Sequence, residues 1–131
     1  MKQEVALLYN LAGDRLRRVR GLLVFMGVRV RPVEQTEYNQ KVGALAGLQQ
    51  PEALEPYSGE GFREEMMVLR LTPARVNAVI QRFQKHGVAL PALTAVLTAS
   101  NAQWDSNALA GELGKEREAL AGGAPLREHQ Q

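Results

Sequence analysis

The residues best suited to chemistry begin with a run of arginines: Arg15, Arg17, Arg18, Arg20, Arg29 and Arg31. A planar guanidinium suits bidentate contact with phosphate or carboxylate. Alternation argues against a single patch, because Arg29 and Arg31 are interleaved with Val28 and Val30. If the valines meet a helix layer, those two arginines point to the opposite sheet face, and the others lie on the outer side of a helix. A solvated surface is the expectation, and nucleic acid is not the expected partner, since charge on separate faces offers no continuous footprint.

Polar groups flanking the ends of expected strands form a second set. Asn10, Tyr38, Gln40 and Glu64 have the types needed to orient a small ligand in a pocket. Gly43-x-x-x-Gly47 puts two glycines on one side of a helix, where another backbone can approach closely, or forms a turn offering N–H groups to an anion. It is followed by no Gly-Lys-Ser/Thr and is not a dinucleotide fingerprint. Asn101 near Trp104 could read an amide or carboxylate, while the simpler role for the indole is to anchor the last helix to the core. These eight residues are the candidate ligand-binding set.

No residue is nominated as catalytic or as a metal ligand, and no cofactor is expected. His86 falls in the last turn of a helix and His129 in the C-terminal tail. Glu60, Glu64 and Glu65 read as a solvated approach to a strand. With no cysteine, disulfides, thiolate catalysis and cysteine-based metal centres are excluded. There is no Gly-x-Ser-x-Gly elbow. The net charge of +2 is too small to imply a polyanionic partner. Residues 1–5 carry no basic start followed by a signal-length apolar run, and nothing approaches the ~20 apolar residues of a membrane span. A cytoplasmic protein without membrane contact is expected.

The elements that must position these residues emerge from an internal repeat. A shift of 60 positions lays residues 7–30 on residues 67–90, matching Leu11 with Leu71, Arg15 with Arg75, Val19 with Val79, Gly27 with Gly87 and Val28 with Val88. Each copy opens with an apolar run of strand length, residues 5–9 and 66–69. A helix follows, started by Thr72-Pro73 in the second copy and by Gly13-Asp14 in the first. Leu16/Val76, Val19/Val79 and Leu23/Phe83 recur at i, i+3, i+7 and form the face that meets the sheet. Gly27 and Gly87 end the helices, and residues 28–33 and 88–97 supply second strands. Pro32 and Pro91 make both of these edges.

One domain, residues 1–121, is therefore expected, with repeat units at about 5–33 and 65–98, a connecting segment at 34–64 and a C-terminal helix at about 106–120. Residues 122–131 are expected to be a disordered tail. The fold class is α+β, a ferredoxin-like split β-α-β duplication (βαββαβ) with an added helix, and the alternative is a small α/β parallel sheet. Two helices cover one sheet face only. The other must be covered by the C-terminal helix, by the connecting segment or by a second copy of the chain. Within the segment, Thr36 could cap a short helix carrying Tyr38, Val42, Leu45 and Leu48, with residues 49–61 mobile. Ser100 and Gln103 have the spacing of a capping box before the last helix.

Several stretches carry a likeness to a known family: Leu7-Leu8-Tyr9-Asn10, Tyr38-Asn39-Gln40 with Gly43-Ala44-Leu45-Ala46-Gly47, Glu65-Met66-Met67-Val68-Leu69, and Leu97-Thr98 with Asn101 and Trp104. Over most of residues 5–115 the chain resembles a family of small uncharacterised bacterial proteins, catalogued only as a domain of unknown function. The resemblance implies kinship of fold and bacterial origin, and carries across no activity, cofactor or catalytic residue. The surplus apolar character of Leu22, Leu23, Val24, Phe25 and Met26, and of central strands apolar on both faces, favours a non-enzymatic binding or protein-interaction module that uses the uncovered sheet face and the segment from Tyr38 to Gly47, with self-association the leading expectation and another protein the alternative partner. The alternative is a small enzyme or ligand sensor with its pocket near Tyr38, Gln40, Glu64 and Asn10.

Overall fold

The computed structural model describes residues 3–121; the tail expected at 122–131 lies outside them. In chain order the elements are β1 (Val5–Tyr9), α1 (Gly13–Phe25), β2 (Arg29–Val33), a 3-10 turn (Gln35–Glu37), α2 (Val42–Leu45), β3 (Met66–Arg70), α3 (Pro73–Lys85), β4 (Leu93–Val96), a second 3-10 turn (Asn101–Gln103) and α4 (Ser106–Ala121). The offset of 60 that matches the two sequence halves also brings α1 onto α3 end for end.

Helices α1 and α3 stop for the same reason. Gly27 and Gly87 take φ of +80° and +67°, a region that costs a side chain strain, and the following Val28 and Val88 N–H groups return to the carbonyls of Leu23 and Phe83 at 3.0 and 2.9 Å. The starts differ. Thr72 accepts the Arg75 N–H at 3.3 Å ahead of Pro73, whereas Ala12 offers α1 no side-chain cap. Thr72→Ala is expected to cost about 1 kcal/mol, read as a lower urea midpoint at unchanged slope.

The sheet order is β2-β1-β3-β4. Strands of one unit are parallel neighbours, β1 with β2 and β3 with β4, and the units meet antiparallel at β1 and β3. The result is a mixed α+β sheet. The ferredoxin-like arrangement, in which each crossover straddles a strand of the other unit, is not the one observed, and the antiparallel β1–β3 pairing rules out the all-parallel alternative. Pro32 signalled an edge strand and lies in β2, which is an edge; β4, the other edge, spans only Leu93–Val96 of the expected 88–97, so Pro91 precedes it and is not part of its ladder. That signal could not separate the topologies, because the split arrangement puts the same two strands outside.

Strand alternation divides the core in two. Ala6, Leu8, Met67 and Leu69 face the helix layer and pack with Val19, Leu23, Val28, Val79 and Phe83, with Leu16 and Val76 against them. Val5, Leu7, Tyr9, Met66 and Val68 face the other way and pack with Tyr38, Val42, Leu45, Leu93, Leu109 and Ala110. The second face is thus covered by the connecting segment and α4. Tyr9 and Ser106, both fully buried, join across this layer through a 2.7 Å hydroxyl pair. The first turn of α4 is capped by Asp105, which accepts the Ala108 N–H at 2.8 Å, and not by the expected Ser100–Gln103 box.

The two units are also stitched reciprocally. Arg15 on α1 forks onto Glu65, the residue before β3, with a shortest contact of 2.9 Å. Its counterpart Arg75 on α3 forks onto Glu4, the residue before β1, at 2.8 and 2.9 Å, and also donates to the Met26 carbonyl at 2.6 Å. The main-chain carbonyls of the same two glutamates accept from the edge strands: Glu4 from Arg29 and Glu65 from Leu93, at 3.1 and 3.0 Å. Each glutamate therefore fixes an edge strand through its backbone and the other unit's helix through its side chain. This is the physical use of the matched Arg15/Arg75 pair.

Candidate functional site

Residues 34–64 have little regular structure, so their backbone groups need partners from elsewhere. Amide side chains supply many of them. Gln35 Nε2 donates to the Gly59 and Glu60 carbonyls, Asn39 Nδ2 to Glu55, and Gln40 both donates to the Glu52 carbonyl and accepts the Glu52 N–H, all between 2.6 and 3.1 Å. The Tyr57 N–H reaches the Thr36 carbonyl at 2.9 Å. Tyr38 anchors the packing: its ring stacks on Phe62 at 4.8 Å and on Tyr57 at 6.3 Å, and tilts against Tyr9 at 5.6 Å. The stretch 49–61, expected to be mobile, is instead tied at both ends and in the middle. The 3-10 turn before Tyr38 is capped by Glu34 and Glu37 in place of the expected Thr36.

Asn10 follows β1 with φ of +65°, a conformation asparagine tolerates better than most residues. Its amide donates to the Phe62 and Glu64 carbonyls at 3.0 and 2.9 Å, and its oxygen accepts the Tyr38 hydroxyl at 3.1 Å. Asn10, Tyr38 and Glu64 therefore do come together, as a structural tie with Glu64 acting through its backbone. Among the described residues no buried side-chain nitrogen or oxygen is left without a partner.

The remaining expected site residues are dispersed. Gly43 is a close approach: a Cβ there would stand 2.9 Å from the Ala102 Cβ and 3.0 Å from the Ala102 carbonyl oxygen. Gly47 lies just past α2 with φ of +80°. Asn101 is engaged within its own turn, accepting from the Thr98 N–H at 2.9 Å and donating to the Val96 carbonyl at 3.1 Å. The Trp104 ring is 37% exposed and outside both core clusters; its carbonyl, accepting the Val42 N–H at 2.8 Å, ties α2 to the start of α4.

Open space close to the expected site residues lies beside β2. Two clefts of about 430 and 470 Å³ share Arg31, Ala44, Leu45 and Pro51 in their walls. Gln40 and Leu54 line the first, and Arg29, Val30, Pro32 and Gly47 the second. Of the eight expected ligand residues only Gln40 and Gly47 are here. Leu45 lies in the segment Tyr38 to Gly47 expected to take part in binding, whereas Pro51 and Leu54 were missed, because apolar residues scattered through an irregular segment carry no periodic signal. The interleaved arginines were legible: Val30 packs on the helix layer, and Arg31 points to the opposite face, where Glu37 takes it at 2.8 Å.

Burial alone would raise the Glu37 carboxyl, but the Arg31 hydrogen bond and charge and the Glu34 N–H outweigh it and hold the group below its ordinary value. The Arg75 fork does the same for Glu4. Burial pushes Tyr9 and Tyr38 up. Both glutamates then contribute stability that is present above the ordinary carboxylate range and lost as pH falls through their lower folded values. The tyrosines contribute stability that is present below about pH 10 and lost as pH rises toward their folded values. Urea midpoints should fall at both extremes, and Arg75→Met, which removes the partner of Glu4, should flatten the acid limb.

Among the described residues no cluster of three or more His, Asp or Glu could hold a metal ion, and no helix is long and apolar enough to cross a membrane. What the clefts offer is shape, an exposed strand edge and charge. No curated protein and no solved structure matches the chain. A family model, described as a domain of unknown function (DUF3783), matches residues 65–120, the span from just before β3 into α4. Over those residues, which hold the second β-α-β unit and most of the helix that follows it, the chain is similar to that family.

Proposed function

We propose that the chain is a non-catalytic binding module that receives an extended segment of another polypeptide along the free edge of β2. One observation carries the reading: the two adjoining clefts lie beside an edge strand whose outward main chain has no strand partner among the described residues, over a wall of Ala44, Leu45 and Pro51. The Arg29 N–H turns inward to Glu4, so by alternation the N–H and C=O of Val30 turn outward. A strand added there gains main-chain hydrogen bonds, and alternate side chains fill the clefts. Arg29, exposed and without an ion pair among the described residues, stands ready for a carboxylate of the incoming segment.

Pro32 removes one outward donor, which shortens the ladder and discourages edge-to-edge pairing of two copies. The sheet face that self-association would have used is occupied by the chain's own residues, so in this reading the segment comes from a different protein, in the bacterial cytoplasm that the sequence suggested.

Peptide-display selection on the immobilised full chain, followed by amide shift mapping with the selected peptides, tests the proposal. Selected peptides should shift the amides of Val30, Arg31, Leu45 and Leu54, and Leu54→Glu should abolish the effect. Failure to select any peptide, or shifts confined to other surfaces, would overturn it.

A further inference from the structure

We infer that the outer face of the α1–α3 layer docks an acidic polypeptide segment that carries an apolar side chain between its carboxylates. This surface is separate from the β2 clefts. α1 and α3 together hold seven Lys and Arg against a single acid, Asp14, in a chain whose net charge is only +2. Three of the seven are engaged: Arg15 by Glu65, Arg17 by Asp14 and Arg75 by Glu4. Arg18, Arg20, Arg82 and Lys85 have no carboxylate partner among the described residues. The folded chain thus segregates its charge, with the excess of acid lying away from this layer.

Within this positive field the last turn of α1 exposes two large apolar side chains, Val24 at 54% and Phe25 at 73%. Leu23 of the same turn faces the core, whereas Val24 and Phe25 lie outside it. Arg82 lies over the Phe25 ring, its Cζ 4.7 Å from the centroid. Beside them opens a cleft of about 370 Å³ lined by Phe25, Met26, Ala78, Gln81, Arg82 and Lys85, and by Arg75, whose charge Glu4 already compensates.

Three properties select the occupant. The concavity calls for a protruding group, which a flat bilayer surface does not present. The apolar wall calls for a Leu or Phe, which a phosphate backbone lacks. The uncompensated cations call for flanking carboxylates, whereas a second copy would set the same cations against each other.

Fluorescence anisotropy on the full chain at ~150 mM salt tests the inference. The probe is a labelled peptide with Leu-Phe between runs of glutamate, compared with a peptide in which Ser-Gly replaces that pair. The Leu-Phe peptide should bind at least about tenfold more tightly than the Ser-Gly peptide. Phe25→Ser and the double variant Arg82→Glu/Lys85→Glu should each weaken it by about tenfold or more with the thermal midpoint held, and Lys115→Glu, on the exposed side of α4 and outside both proposed surfaces, should leave it unchanged. Equal binding of the two peptides, no effect of Phe25→Ser, no binding at all, or tighter competing binding by phosphatidylserine vesicles or duplex DNA would overturn it.

Discussion

Tyr38→Ala should destabilise the fold by about 3–5 kcal/mol and open residues 49–64 to proteases, the largest single effect expected in this molecule. The ring is 1% exposed and meets three other aromatic rings, so its loss leaves a cavity that the strands beneath cannot collapse to fill. The same change removes the hydroxyl that meets Asn10, on which the path of residues 62–64 rests. Tyr38→Phe separates the two contributions: it keeps the stack and should cost only about 1 kcal/mol. Urea denaturation supplies the energies, and limited proteolysis supplies the local readout. Were Tyr38→Ala to leave cleavage between 49 and 64 unchanged, the amide ties from Gln35, Asn39 and Gln40 would be sufficient on their own.

The second large effect is expected at the buried hydroxyl pair of Tyr9 and Ser106. Ser106→Ala leaves the fully buried Tyr9 hydroxyl without its partner and should cost about 1–3 kcal/mol. Tyr9→Phe strands the Ser106 hydroxyl and should cost a similar amount. The double variant removes both polar atoms together, so its cost should be well below the sum of the two, with a coupling of about 1 kcal/mol or more. Strict additivity would mean that water reaches the pair. Tyr9→Phe should also weaken the alkaline loss of stability, because the Tyr9 phenol is one of the two that burial holds protonated.

The Tyr38 result bears on the proposed site, since its ring stacks on Tyr57, next to the residues 51–56 that wall the first β2 cleft. A variant that loses Tyr38 should lose the wall supplied by Pro51 and Leu54 while keeping the α1–α3 face intact. The two proposed surfaces can therefore be switched off one at a time.

By itself the sequence determined what is local and periodic. The i, i+3, i+7 spacing of Leu16, Val19 and Leu23, repeated as Val76, Val79 and Phe83, fixes two helices of equal length and the face each buries. Gly27 and Gly87 fix where they end, and Pro32 marks an edge strand. Alternation in residues 28–31 determined the faces of Arg29 and Arg31 before any coordinate. Tertiary structure alone decided which strands became neighbours, because a strand apolar on both faces reads the same beside either partner. It also decided the destinations of the polar residues. Asn10 and Gln40 carry the same donors and acceptors whether they meet a ligand or a main chain, and only the return of residues 49–64 across the sheet turned them into fastenings. That return left its own edge open along β2, a groove built from residues distant in sequence with no pattern to announce it.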